Sequence, residues 1–333
     1  MDILYFLQGL RNPVFDFFFE LVTKLGEETF FLVIAILFFW CINKREGYFI
    51  LLTGLFGTIL NQALKLIFRI PRPWTIDPNL KDVISEEVRE AAGGYSFPSG
   101  HTQNIASTFG AIAAHKRGKI RTALCVTVIA LVAFSRMYLG VHTLLDVGVS
   151  LVLALILVVS LRPLFASEEN FKKSYPFIVI GACVFALGFL IYVICLSGDK
   201  TLDTLNYLSG LKNACSLFGC TLGLIGVYFA DTYLIKFETE AKWYSQIIKA
   251  TLGFAIVLII KEGLRAPLEF VFVNIYVARA VRYLIVVAFA GIVWPMTFKF
   301  FKKLTIPALD KFGERVAAMF SKKKSTKTDE NAN

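Results

Sequence analysis

Residues 174–198 read SYPFIVIGACVFALGFLIYVICLSG, twenty-five positions without a charged side chain. A hydrocarbon core about 30 Å thick is crossed by roughly 20 helical residues, so this run is read as a membrane span. Asn213 to Ala230 is a second charge-free run of the same kind. The rest of the composition agrees: 56% of the 333 residues are hydrophobic, 32 are Phe and only 18% are charged. A soluble domain carries about a quarter charged residues, and one core of this length cannot bury so much apolar surface. Outward from the two runs, apolar stretches at 27–43, 47–69, 99–115, 119–140, 142–163, 174–197, 208–230, 244–264 and 279–299 predict an all-α, polytopic transmembrane helix bundle of nine spans. The eighth is interrupted by Lys249, Lys261 and Glu262.

Basic residues in short connections set orientation. Lys44-Arg45, then Lys116, Arg117, Lys119 and Arg121, then Arg162, Lys172 and Lys173, and finally the tail from Lys299 to Lys327 all fall on one side if nine spans alternate. That side reads as cytoplasmic, which leaves 70–98, 135–142, 198–207 and 265–278 outside. The net charge of +10 would suit nucleic acid, but nine Lys/Arg against four Asp/Glu lie from Lys299 onward, so half the excess sits in one tail. Such a tail matches cytoplasmic retention or anionic lipid, and a nucleic-acid partner is not expected. Six cysteines without C-x-x-C or histidine spacing indicate neither a zinc site nor a disulfide framework. The division expected is an interfacial amphipathic segment (1–26), a membrane core (27–197), a three-span C-terminal extension (198–300) and a basic tail (301–333).

Polar residues cluster at three span ends where they are expensive in a bilayer. Lys65, Arg69 and Arg72 are spaced i, i+4 and i+7, with Pro71 and Pro73 closing the helix. One stripe of three cations suits an anion; it also suits lysine and arginine stems snorkelling to headgroups. Tyr95-Ser-Phe-Pro98-Ser99-Gly100-His101-Thr102 opens the third span, where free N–H groups and the positive end of the helix dipole favour phosphate. Plain capping explains the serine and glycine equally well, but not His101. Ser135-Arg136 and His142-x3-Asp146 bridge the fourth and fifth spans. A carboxylate one turn from an imidazole accepts its Nδ1–H and leaves Nε2 free as nucleophile or base. No phosphate-binding G-x-x-x-x-G-K-[ST] loop and no carboxylate cluster for Mg²⁺ occurs, so neither a metal nor another cofactor is expected.

Lys65-x6-Arg72-Pro73, Pro98-Ser99-Gly100-His101 and Ser135-Arg136-x5-His142-x3-Asp146, in that order, resemble the three-part signature of the type-2 phosphatidic acid phosphatase family, related to vanadium haloperoxidases and bacterial acid phosphatases. The resemblance covers roughly residues 1–197. It implies that His142 is a nucleophile forming a phosphohistidine, that Asp146 orients it, and that His101 protonates the leaving group and then activates water. It implies further that Lys65, Arg72 and Arg136 clamp the phosphoryl oxygens, with Ser99 and the Gly100 N–H completing the cradle. Arg69 lies outside the motif.

The expected activity is therefore an integral membrane lipid phosphatase of the cell membrane with an extracytoplasmic site. Its substrate would be a phosphatidate-type monoester or undecaprenyl diphosphate, split without a metal. The alternative is a transporter or flippase that binds a phosphate headgroup without cleaving it, the feature favouring it being Lys261, Glu262 and Arg265 in the eighth span. The histidines weigh against it, because binding alone needs no nucleophile. For those three charges, a structural ion pair is expected over a second headgroup site, with Glu262 placed to meet a neighbouring span or Arg265.

Overall fold

The computed structural model describes residues 2–81, 84, 86–115, 118–313 and 315. Lys116, Arg117 and the tail from residue 316, with Lys322 and Lys327, lie outside the described residues, as do the orientation readings placed on them. Among the described residues every regular element is helical. The principal helices are α1 (Asp2–Gln8), α2 (Pro13–Thr23), α3 (Glu28–Leu37), α4 (Lys44–Phe68), α5 (Gly100–His115), α6 (Lys119–Tyr138), α7 (Leu144–Leu161), α8 (Glu168–Cys195), α9 (Thr204–Phe229), α10 (Trp243–Gly263) and α11 (Ile275–Ala288). Short helices occupy Pro73–Ile76, Pro78–Lys81 and Glu86–Ala91, and Trp294–Met296 and Phe298–Lys303 prolong the line of α11.

All nine expected spans are helices, but fewer qualify as crossings. Six stretches are long and apolar enough: Lys44–Ile76, Lys119–Tyr138, Leu144–Phe165, Glu168–Gly198, Thr204–Ile235 and Ile275–Lys303. A seventh counts if the pair Pro13–Gly26 and Glu28–Ile42, bent by 55°, is one span. The first expected span is thus only part of that pair, and α2, expected at the interface, is its other arm. The third is the 16-residue α5, whose first turns carry His101, Gln103 and Asn104. The eighth is α10, which is not among the six; its Lys249 is buried at 1% exposure.

Local chemistry sets the ends of these helices. Asn12 caps α2 by accepting from the N–H of Val14 and Phe15, with Pro13 in the first turn. Asn43 caps α4 through the Glu46 N–H. At its far end α4 stops at Arg69, in the left-handed conformation at φ 51°, before the prolines can disrupt the ladder. Helix α4 is about 37 Å long at 1.5 Å per residue, and with α9 it is the most enclosed of the six apolar stretches.

Polar cross-links gather at the two ends of the bundle. At one end Arg121 pairs with Glu46, Arg45 approaches Glu168 at 3.6 Å, Arg162 Nε donates to the Ala114 carbonyl at 3.0 Å, and Lys44 meets Asp231 at 2.9 Å. At the other, Arg69 reaches Asp199 at 2.7 Å and Gln8 donates to the Tyr138 carbonyl at 3.4 Å. Within the extension α9 and α11 pack closely: a Cβ on Gly219 of α9 would stand 2.1 Å from the Ala280 oxygen of α11, so only glycine permits the approach. Trp40 adds a cross-link by donating its indole N–H to the Ala290 carbonyl at 2.9 Å. The charges of the eighth segment resolve locally. Lys261 meets Glu262 at 3.3 Å, while Arg265 pairs with Glu269 at 3.4 Å and not with Glu262, all four partly or well exposed.

Candidate phosphate-binding active site

The expected cationic stripe does not survive as a stripe, because α4 ends before Arg72. The left-handed turn at Arg69 sends its guanidinium to Asp199 and Thr201 in the α8–α9 connection. Arg72, now on extended backbone before Pro73, swings the opposite way into the bundle and is 7% exposed. It donates to the carbonyls of Gly93, Gly94 and Val141 at 3.0–3.1 Å. Lys65, still helical, donates to the carbonyls of Tyr95 and Ser96 at 2.5 and 3.3 Å. The two cations therefore grip one segment, 93–96, from its main-chain side.

That segment faces a turn built by Arg136. The Arg136 carbonyl accepts the N–H groups of Val141 and His142 at 3.1 and 3.3 Å, with Gly140 at φ 71° allowing the reversal. His142 thus lies just ahead of α7 and not within it. Thr143 and Asp146 form a reciprocal capping box that opens the helix. Asp146 Oδ2 accepts the Thr143 N–H at 2.7 Å and the Ser96 hydroxyl at 2.6 Å, and stands 3.4 Å from His142 Nδ1. Both imidazole and carboxylate are buried, at 1% and 2% exposure.

The carboxylate favours one tautomer: Asp146 Oδ2 and Ser96 Oγ stand 3.4 and 3.3 Å from His142 Nδ1, which assigns the proton to Nδ1 and the lone pair to Nε2. Arg72 Nη1 lies 2.9 Å from Nε2 and 3.5 Å from Nδ1, so the guanidinium rests against the ring.

The remaining expected residues surround this pair. Ser99 is fully buried; its N–H donates to the Asp146 carbonyl at 3.2 Å, and its Oγ accepts from the Thr102 hydroxyl at 3.0 Å. It is thus a cap for α5, with its own hydroxyl hydrogen left for a further acceptor. Gly100 and His101 form the first turn of α5. Gly26 presses on His101 so closely that a Cβ there would lie 2.8 Å from the His101 Cβ. Arg136 donates to Thr23 Oγ1, and its buried Nε has no partner among the described residues. Arg69, which lies outside the motif, stands apart with Asp199 and Thr201. Sequence reasoning overlooked Ser96, whose hydroxyl spans Asp146 and His142, and Asn61, which donates to the Pro98 carbonyl at 3.3 Å. Ser96 was visible as the hydroxyl two positions before Pro98; Asn61 had no signal beyond being an amide in an apolar helix. Among the described residues no three His, Cys, Asp or Glu side chains converge as a metal site would require.

Residues 46–170 match the PAP2 superfamily, and residues 215–305 match the PAP2 superfamily phosphatase transmembrane extension. Among similar proteins, mouse sphingosine-1-phosphate phosphatase 1 is 28% identical over 229 residues, 66% of this chain and 52% of that one. Lipid A 4'-phosphatase of Porphyromonas gingivalis is 32% identical over 149 residues, 42% of this chain and 62% of that one. Lipid phosphate phosphatase delta of Arabidopsis thaliana is 26% identical over 151 residues, 42% of this chain and 36% of that one. The chain therefore spans about half the length of such relatives. No solved structure matches.

Proposed function

The chain belongs to the PAP2 superfamily, and on that premise we propose that it is a membrane lipid phosphatase working through a phosphohistidine on His142. The observation that carries this reading is a buried His142 ring with the Asp146 carboxylate at its Nδ1 and the Arg72 guanidinium against it. A phosphoryl oxygen accepts an Arg72 N–H, and the Nε2 lone pair attacks phosphorus. The N–P bond forms as the P–O bond to the lipid breaks, and His101 gives its proton to the departing alkoxide. Water then attacks phosphorus, His101 takes its proton, and the N–P bond breaks to release inorganic phosphate. Lys65, Arg136, Ser99 and the Gly100 N–H stabilise the charge on the equatorial oxygens.

The substrate we assign is a lipid phosphate: a phosphatidate-type or sphingoid-type monoester, or undecaprenyl diphosphate. Relatives named for sphingosine-1-phosphate and for the lipid A 4'-phosphate favour a monoester. The site is assigned to the extracytoplasmic face, because the cradle lies at the end of α4 away from Lys44 and Arg45. Phosphate release from a panel of lipid phosphates by detergent-purified protein tests the reading. Release should persist in EDTA and be inhibited by orthovanadate, which imitates five-coordinate phosphorus. Activity abolished by EDTA and restored by Mg²⁺ overturns the metal-independent mechanism. A cysteine at position 75 of a Cys-free variant should react with an impermeant reagent on intact cells; labelling only after permeabilisation reverses the assigned side.

A further inference from the structure

At the end of the bundle opposite the cradle, the extension leaves a groove of about 710 Å³. Its apolar walls include Leu234, Phe237, Met296 and Phe298, and its rim carries Lys236, Lys299, Lys302 and Lys303 with Glu238. The backbone explains the gap. The end of α9 widens into a π-helical turn, Ala230–Ile235, that Lys236 closes in the left-handed conformation at φ 48°. Opposite it, the helices Trp294–Met296 and Phe298–Lys303 break at Thr297. A second hollow of about 510 Å³ shares Phe237, Glu238 and Lys302 and adds Thr239, Glu240 and Lys44, the first residue of α4.

The charges here are unbalanced. Lys302 pairs with Glu238, and Lys44 pairs with Asp231 at 2.9 Å. Lys236, Lys299 and Lys303 have no carboxylate partner among the described residues. The Glu238 carboxyl is held below its ordinary range, first by Lys302 and then by Lys44 and Lys299, so positive charge converges on it from both halves of the protein. Lysines that merely snorkel need no shaped trough beneath them. Here three unpaired ammonium groups rim a pocket of small-ligand size with an apolar floor, and like charges so arranged repel unless an anion lies between them.

We propose that this groove binds the phosphodiester headgroup of an anionic phospholipid, its phosphate among Lys236, Lys299 and Lys303 and its first methylenes along Met296 and Phe298. The site is separate from the catalytic cradle and does not depend on the phosphatase reading. Because one wall comes from 234–238 and the other from 295–303, the bound lipid fastens the end of α9 to the helices that follow α11.

The test is the apparent melting temperature of the full-length protein in detergent at a fixed scan rate, with dioleoylphosphatidylglycerol, dioleoylphosphatidylcholine or inorganic phosphate added. Phosphatidylglycerol should raise it by a few degrees, while phosphatidylcholine and phosphate leave it unchanged. The double variant Lys299→Gln, Lys303→Gln keeps the Lys302–Glu238 pair; it should lose most of the rise yet retain its activity on a water-soluble phosphomonoester. Met296→Glu, which charges the apolar wall, should lose the rise too. His142→Ala should keep it in full. An equal rise with phosphatidylcholine, a rise that survives in the double variant, or one that disappears in His142→Ala overturns the proposal. So does an equal rise with inorganic phosphate, which makes the groove a site for the free anion.

Discussion

Two lysines inside the bundle, Lys65 of α4 and Lys249 of α10, are held by the same device and belong to different machinery. Lys65 donates to the carbonyls of Tyr95 and Ser96; Lys249 donates to those of Trp40 and Thr239 at 2.8 and 3.2 Å. Lys249 also lies 4.3 Å over the Phe298 ring, which occupies its remaining positive face. Its donors are then accounted for, and the result is a pin between core and extension. The segment that takes Lys65 also takes Arg72, and its Ser96 hydroxyl passes the linkage on to Asp146 and His142. A buried cation answered by carbonyls is therefore a folding device in both places. What marks a site is a surplus of donors converging on a nucleophile.

The comparison breaks most visibly in turnover. His142→Ala should reduce phosphate release by about 10⁴-fold or more and leave no trappable phosphoenzyme. Lys65→Met should lower it by about 10²–10³-fold, the scale on which a preorganised donor to a developing charge acts. Lys249→Met should stay within about twofold per folded molecule while losing about 1–3 kcal/mol of stability, because two buried carbonyls are left without their donor. A folded Lys249→Met protein that loses its turnover would erase the distinction drawn between the two lysines.

The next effect separates the two histidines. Replacing His101 by alanine should slow an alkoxide-releasing lipid phosphate by about 10²–10⁴-fold and slow p-nitrophenyl phosphate much less, since p-nitrophenolate departs without a proton. Equal losses on both substrates would remove His101 from the role of general acid.

The core of this arrangement was legible in the sequence because its chemistry is written at fixed spacing. His142 and Asp146, four apart, and Pro98 to His101, contiguous, needed only the local rules of helix starts to be placed. The stripe of Lys65, Arg69 and Arg72 misled, because helical periodicity assumes the helix continues. The left-handed turn at Arg69 divides the stripe between two faces, and nothing in the residue type requires that conformation. The span count is less direct: all nine segments are helices, but α5 has 16 residues, α10 is not among the six stretches long and apolar enough to cross, and α3 qualifies only together with α2. The partners of Ser96 and Lys249 are long-range, at separations of 50 and 209 residues, and no local pattern encodes such contacts.

Ser96 sharpens the comparison at a smaller scale. Its hydroxyl stands between Asp146 and His142 and touches no reacting atom in the proposed mechanism, so it is a positioning residue. With Ser96→Ala, kcat should fall about tenfold with KM nearly unchanged, at a stability loss of about 1 kcal/mol. Ser96→Thr, which keeps the hydroxyl, should recover most of the rate. A rise in KM without a fall in kcat would instead place Ser96 in contact with substrate.

The smallest expected effect lies at Arg69, the cation that the turn removes from the cradle. Its guanidinium pairs with Asp199 at 2.7 Å, and the Asp199 carboxyl is pulled down from 3.8 to about 2, first by the Thr201 hydroxyl and then by Arg69. A carboxyl whose folded value is depressed adds stability above its ordinary value and loses that contribution as the pH falls through the folded one. The melting temperature should therefore drop between about pH 4 and pH 2 by slightly more in the native protein than in Asp199→Asn. The difference should shrink in 1 M salt, because the pair is exposed and screened. Above pH 5 both Asp199→Asn and Arg69→Gln should keep turnover within about twofold, since an exposed ion pair contributes little and neither group reaches the cradle. If Arg69→Gln instead loses turnover on lipid phosphates while Asp199→Asn does not, the guanidinium leaves its carboxylate for the substrate, and Arg69 returns to the cationic set from which its backbone excludes it here.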